Sequence, residues 1–165
     1  MLFLKHTFIN DRTMTISTFR VLFLFLLIVS FQKLNAQLAN DLIGVWLTGK
    51  KDGHVKIENI GGKYYGKIVW LKEPIDSTTG KMQLDKNNPE KSLRYYPVKG
   101  LRILKDFEFI EKGVWEEGTI YDPDNGKSYS CNNTMSNKNA INIRGYIGIS
   151  LFGRTDVWTR VIEKN

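Results

Sequence analysis

Few side chains in this 165-residue sequence stand where a reaction would need them. Beyond the amino-terminal segment the only histidine is His54, next to the turn residue Gly53. It has no serine, cysteine or second histidine at the spacing of a nucleophile and its base, so it reads as a solvated turn residue. Asp122-x-Asp124 with Gly126 begins like a calcium loop. The glycine falls one position early, however, and the twelfth position is Asn133, where a bidentate glutamate is required, so the segment reads as a turn. One histidine with one thiol, Cys131, does not make a structural zinc site. Asp106, Glu108, Glu111, Glu116 and Glu117 surround one connection, and a facing pair of such carboxylates is what acid–base work on a glycosidic bond needs. Glu108 and Glu116 nonetheless stand among charged neighbours and read as a solvated hairpin end. No catalytic residue, metal site or cofactor is assigned.

Aromatic and cationic side chains carry more information. Trp46, Trp70 and Trp158 are candidates for the apolar wall or floor of a small-molecule cavity, with Tyr121, Arg144, Tyr146 and Arg154 as polar anchors for a carboxylate or a sugar. The competing reading is that aromatics at strand spacing simply fill the core. Gly44-x-Trp46 near the start and Arg160 near the end form a further set. If first and last strands are neighbours in a closed barrel, the Arg160 guanidinium can lie over the Trp46 indole and close one end, while Gly44 lets the backbone pass close to the ring. Trp46 as ordinary core and Arg160 as ordinary surface remains the alternative.

The elements that must position these residues are strands. Apolar residues recur with period two, in 43–48, 55–58, 63–71, 101–110, 113–121, 128–135, 141–147 and 154–161, and no window outside the amino terminus shows a helical face. Gly61-Gly62 and Asn125-Gly126 mark hairpin turns, because both permit the positive φ that a tight hairpin asks for. Ile141, Ile143 and Ile147 alternate with Asn142, Arg144 and Tyr146, which makes outward the expected direction for Arg144 and Tyr146. Residues 72–99 break the rhythm with Pro74, Pro89 and Pro97. A connection that long is functional or disordered more often than idle, and it has the length of a lid. The sum is an all-β chain, an antiparallel up-and-down barrel of about eight strands around one small ligand.

The first 36 residues read as an export signal. Lys5, Arg12 and Arg20 precede the apolar run Val21 to Val29, and the polar stretch that follows places cleavage between Ala36 and Gln37. The run is shorter than the ~20 residues of a spanning helix, so no retained membrane span is expected. Leu34, three before the cut, is larger than such sites prefer, which keeps a signal anchor as the alternative; Met14 is a second possible start. The whole chain carries 24 basic and 17 acidic residues; without Lys5, Arg12, Arg20, Lys33 and Asp11 these become twenty and sixteen, so the formal +7 falls to +4. That mild excess, with no basic stripe and an export signal, argues against a nucleic-acid partner. The single cysteine of the remaining 129 residues excludes an internal disulfide, so stability must come from the core.

Several short blocks together resemble one family of exported bacterial proteins, domain of unknown function 2147. They are Gly44-Val45-Trp46-Leu47-Thr48, Gly66-Lys67-Ile68-Val69-Trp70-Leu71, Asp85-Lys86-Asn87-Asn88-Pro89, Trp115 with Gly118 to Pro123, Gly126-Lys127-Ser128-Tyr129, Arg144 to Gly148, and Leu151 to Thr155 with Trp158-Thr159-Arg160. The resemblance covers almost all of residues 37–165 and implies an exported, β-rich single domain, but no reaction. It also implies that the long loop is part of a shared design, with Asp85, Asn88, Pro89 and Arg94 as its motif; the block carries one asparagine more than the family's usual Asp-x-x-Asn-Pro. The Gly-x-Trp and arginine pairing is similar to that of lipocalins and fatty-acid-binding proteins.

Three functional classes follow. First is a non-enzymatic barrel, periplasmic or extracellular, holding an apolar or amphipathic molecule. Second is a cell-envelope protein that meets a partner through exposed edges or the 72–99 loop and takes no small ligand. An enzyme acting on envelope polysaccharide or lipid ranks last, for want of a nucleophile, a metal set or an acid/base pair.

Overall fold

The structure, a computed structural model, describes residues 19–27 and 38–162. Residues 19–27 are helical, and among the described residues no helix is long and apolar enough to cross a membrane. The Ala36–Gln37 position lies outside the described residues. The chain divides into two compact units, with the second beginning at Leu38.

That second unit is a closed antiparallel barrel of eight strands in sequence order: β1 (Gly44–Leu47), β2 (Gly53–Ile60), β3 (Lys63–Leu71), β4 (Arg102–Glu111), β5 (Val114–Asp122), β6 (Lys127–Asn137), β7 (Ala140–Tyr146) and β8 (Arg154–Arg160). β8 returns to β1 with Trp46 opposite Arg160, which leaves no free sheet edge. Each hairpin alternates ends, so β1–β2, β3–β4, β5–β6 and β7–β8 are all joined at one end, here called the mouth. The other end is the floor.

Residues opposite one another in an antiparallel ladder share a face. On β6 to β8 the inward row is therefore Cys131 with Gly145, Asn133 with Ile143, Ile141 with Trp158, Ile143 with Asp156 and Gly145 with Arg154. The outward row pairs Asn132 with Arg144, Ser130 with Tyr146 and Arg144 with Thr155. The core is the inward row of all eight strands, headed by Trp46, Val55, Ile57, Tyr64, Leu104, Phe107, Trp115 and Ile141.

Simple alternation fails at bulges. Val55 faces Ile68 while His54 faces Trp70, so Val69 is an extra residue in β3. Trp70 is thereby turned out; it is 40% exposed and lies against His54 on the outer surface, ring centres 4.4 Å apart. In β4 an extra residue opposite Gly66 and Lys67 lets the neighbours Ile103 and Leu104 both turn inward. Within β5 the residues between Trp115 and Gly118 form a further bulge, with Glu117 at φ 61°.

Candidate ligand-binding site

The floor is closed by the chain that leads into β1. A 3₁₀ turn, Asn40–Leu42, crosses it, and the buried Trp46 indole donates from Nε1 to Leu42 O at 2.9 Å. Arg160 Cζ lies 4.1 Å from the indole centre. Its nitrogens donate to three backbone carbonyls, Nη1 to Ile43 at 2.8 Å, Nη2 to Asp41 at 2.6 Å and Nε to Lys138 at 2.8 Å. One guanidinium thus joins the lead-in to β1, the β6–β7 turn and β8. Burial lowers its pKa, partly offset by Asp41, but guanidinium starts so far above neutrality that it stays charged. Gly44 belongs to this arrangement: it sits at φ 145°, and a Cβ there would stand 2.4 Å from Arg160 Nη1.

Above the floor the lower half of the barrel is solid. Tyr64 and Phe109 meet Trp115 with ring centres 6.2 and 5.7 Å apart. Cys131 is fully buried here, and desolvation pushes its thiol up to about 12. The Trp115 Nε1 and Asn133 Nδ2 donors, on residues opposite one another across β5 and β6, are buried with no acceptor among the described residues.

Toward the mouth an open-sided space of about 1180 Å³ begins over the core and spreads out beneath the β3–β4 connection and past the rim. Val55, Ile68, Ile103, Ile120, Ile143 and Trp158 form its barrel wall, and Ile75, Leu84 and Val98 of the β3–β4 connection form its cover. Asp156, also inward, accepts from Trp158 Nε1 at 2.7 Å and from Gly49 N at 3.2 Å, which fixes the indole against the wall. At the mouth the carboxylates are mostly satisfied by the protein itself. Asp52 accepts from Thr48, Asp124 pairs with Lys50 at 3.2 Å, and Asp122 accepts from Asn125. Arg154 is different. It stands on the inward row at the mouth opposite Gly145, is exposed, and has no acceptor among the described residues; Lys72 and Glu73 beside the mouth also lack side-chain partners there.

The cover is ordered through a buried carboxylate. Asp85, fully buried, accepts from Tyr121 Oη at 2.6 Å and from Asn88 Nδ2 at 2.6 Å, and its own amide donates to Tyr96 O at 2.9 Å. Arg94 Nε donates to Asn88 O at 2.7 Å, in the turn that Pro89 continues. Burial first, then Asp85, holds the Tyr121 phenol far above its usual pKa. Asn87 Nδ2 donates to Pro123 O and Asp124 O at 3.2 and 2.9 Å, and Gly126 is required beside it, because a Cβ there would lie 1.9 Å from Asn87 O. Farther along, Lys86 and the amides of Thr78 and Thr79 hold Asp76 at about 2.

The candidate anchors therefore separate. Tyr121, Arg154 and Trp158 border the open space, with Tyr121 committed to Asp85. Trp46 is buried in the floor, and Trp70 is outside because of the Val69 bulge. Arg144 and Tyr146 also leave the site, since their parity places them outward. Tyr146 Oη meets Asn132 Oδ1 at 3.4 Å, while Arg144 binds the β7–β8 loop, donating to Ser150 O, Leu151 O and Thr155 Oγ1. Asp156 escaped the sequence reading, although Arg154, Asp156 and Trp158 share one parity in β8. Lys50 and Lys72 carried no signal beyond being turn lysines. Asp106 to Glu117 form no facing pair in the interior; Glu108 is exposed and pairs with Lys63 at 2.8 Å.

Comparison with known proteins agrees with this architecture. The structure is similar to that of a protein from the human pathogen Helicobacter pylori described as belonging to the lipocalin family, with a TM-score of 0.63, 23% identity, and coverage of 74% of this chain and 84% of that one. No curated protein matches the chain. The sequence profile of an uncharacterised family conserved in bacteria, domain of unknown function 2147, matches residues 44–160, from the Gly44 that clears Arg160 to Arg160 itself, and the chain belongs to that family.

Proposed function

We propose that this protein is an exported, non-enzymatic barrel that binds one small amphipathic molecule. Its apolar body occupies the space at the mouth and its anionic head lies beside Arg154. The observation that carries this reading is an open-sided space at the mouth with apolar residues of the barrel at its base and, on its rim, an inward-row cation with no acceptor among the described residues. An apolar base under a polar rim suits an amphiphile better than a wholly polar ligand. The similar fold of the Helicobacter pylori protein supports the barrel, and the ligand class rests on the residues of this chain.

Native mass spectrometry of protein purified from its own host, followed by titration with a fluorescent fatty acid, tests the proposal. A co-purifying amphiphile, or saturable binding that a long-chain carboxylic acid displaces better than its alcohol, is expected. Repeated recovery without any bound molecule, together with no saturable binding, would sink it. Export rests on the amino-terminal pattern and is tested by terminal sequencing of the protein from the host envelope. A chain beginning at Gln37 is expected; a cytoplasmic chain that keeps its first 36 residues overturns it.

A further inference from the structure

The β7–β8 loop is the most apolar exposed segment of the barrel unit. Ile147, Ile149, Leu151 and Phe152 are 74, 58, 75 and 80% exposed, within six residues that contain no charge. Large apolar side chains scattered over a surface need no explanation, but four on one short loop at the mouth do. The loop is also held in shape. Ser150–Phe152 is a 3₁₀ turn closed by its own amides, and Arg144 spans the base by donating to the carbonyls of Ser150 and Leu151 and to Thr155 Oγ1. The shape therefore exists before any partner arrives, and little ordering is required on contact.

Charge identifies the partner. The loop is flanked by Arg144 and Arg154 with no acidic residue between them; the next one, Asp156, lies on the inward row and accepts from Trp158 Nε1 and Gly49 N. Arg144 meets carbonyl and hydroxyl oxygens, which satisfy its N–H groups without cancelling its charge. An uncharged apolar tip between two cations that form no ion pair among the described residues matches an anionic bilayer surface, where the tip enters the acyl boundary and the guanidinium groups face the headgroup phosphates. A second copy presenting the same loop would cover the apolar tip but set cation against cation.

We propose that residues 147–152 are a membrane-surface anchor that sets the barrel mouth against an anionic lipid leaflet. This goes beyond the binding of a ligand in the cavity; Arg154 is common to both, and the two are read by separate assays. Sedimentation of residues 37–165, in which every strand of the closed barrel lies, with lipid vesicles is the test. Vesicles of phosphatidylcholine alone are compared with vesicles containing about one-third phosphatidylglycerol. Binding to the anionic vesicles that weakens with added salt is expected, and the exposed pair Leu151→Ser with Phe152→Ser should lower the partition coefficient about tenfold or more with the thermal midpoint unchanged. Three results overturn the proposal: no sedimentation with either vesicle, sedimentation that the double variant does not alter, or no vesicle binding but concentration-dependent dimerisation that the variant abolishes. Fatty-acid titration in the absence of vesicles reads the cavity separately, so failure of one proposal is not mistaken for failure of the other.

Discussion

Arg160 and Trp46 face each other across the seam where β8 meets β1, with the guanidinium 4.1 Å from the indole centre and three backbone carbonyls gathered on its nitrogens. Closing the barrel and closing its floor are one event, because the residue pair that joins the last strand to the first also seals the end. Arg160→Ala should cost about 2–4 kcal/mol in chemical denaturation, combining a lost cation–π contact with carbonyls left without donors. Arg160→Lys keeps the charge but not the planar fork, and should recover less than half of that loss.

Gly44→Ala tests the same seam from the opposite side. The new methyl meets Arg160 Nη1 and must also accept φ 145°, so a loss of about 2–4 kcal/mol is expected. Part of that cost is the clash, which disappears with the arginine. The double variant with Arg160→Ala should therefore be measurably less destabilised than the sum of the two single variants; strict additivity would show that the backbone conformation alone sets the cost.

Tyr121→Phe should loosen the cover. Asp85 would keep Asn88 but lose its phenol donor inside a buried site, a cost of about 1–3 kcal/mol. Hydrogen exchange should quicken across residues 83–98 while β1 and β8 stay protected. An unchanged pattern would mean that the Asn87 contacts to the β5–β6 turn suffice to hold the loop.

Alkaline pH should destabilise the barrel, and the sign follows from two raised pKa values. Cys131 is pushed up to about 12 and Tyr121 is also raised, so the folded chain keeps protons that the unfolded chain releases. The stabilisation is complete below the unfolded values, near 8.5 for a thiol and 10 for a phenol, and is lost as pH climbs toward the folded ones. Denaturation midpoints measured from pH 8 to 11 should fall, less steeply in Tyr121→Phe. The same burial makes the thiol unreactive: a maleimide should label Cys131 in denaturant and not in native buffer at pH 8.

Asn133→Leu removes an Nδ2 donor that has no acceptor among the described residues, together with the Oδ1 that accepts from the Cys131 thiol at 3.7 Å, a weak bond, and replaces the amide with a similar volume. Stability should stay level or rise by about 1 kcal/mol. A fall of that size or more would instead mean that the Trp115 and Asn133 donors share a bound acceptor, such as a buried water.

The strand pattern was legible because inward residues repeat every second position, and the same parity rule points Arg144 and Tyr146 out. Parity applied to Arg154, Asp156 and Trp158 would have found the Asp156 carboxylate as well. What parity could not reveal were the bulges. Val69 carries nothing that distinguishes an extra residue from a paired one, so Trp70 is on the outside although it matches Tyr64, Gly66 and Ile68 in spacing. The Asp85 block was visible as a motif through its resemblance to a family, yet its role was not, since the phenol it binds lies 36 residues away in sequence. The exposed loop between β7 and β8 offered only a few more apolar residues in a chain full of them.

A barrel whose floor is sealed by the Arg160–Trp46 pair and whose interior is filled by core side chains is a cup and not a tube. Its depth sets a ruler for any occupant: a longer chain must fold back or protrude, and cannot exit below. For the amphiphile proposed above, the way in would also be the way out, by the rim and head first. Loading and unloading then compete for one doorway, so retention in such a vessel is governed at the brim rather than in the depths.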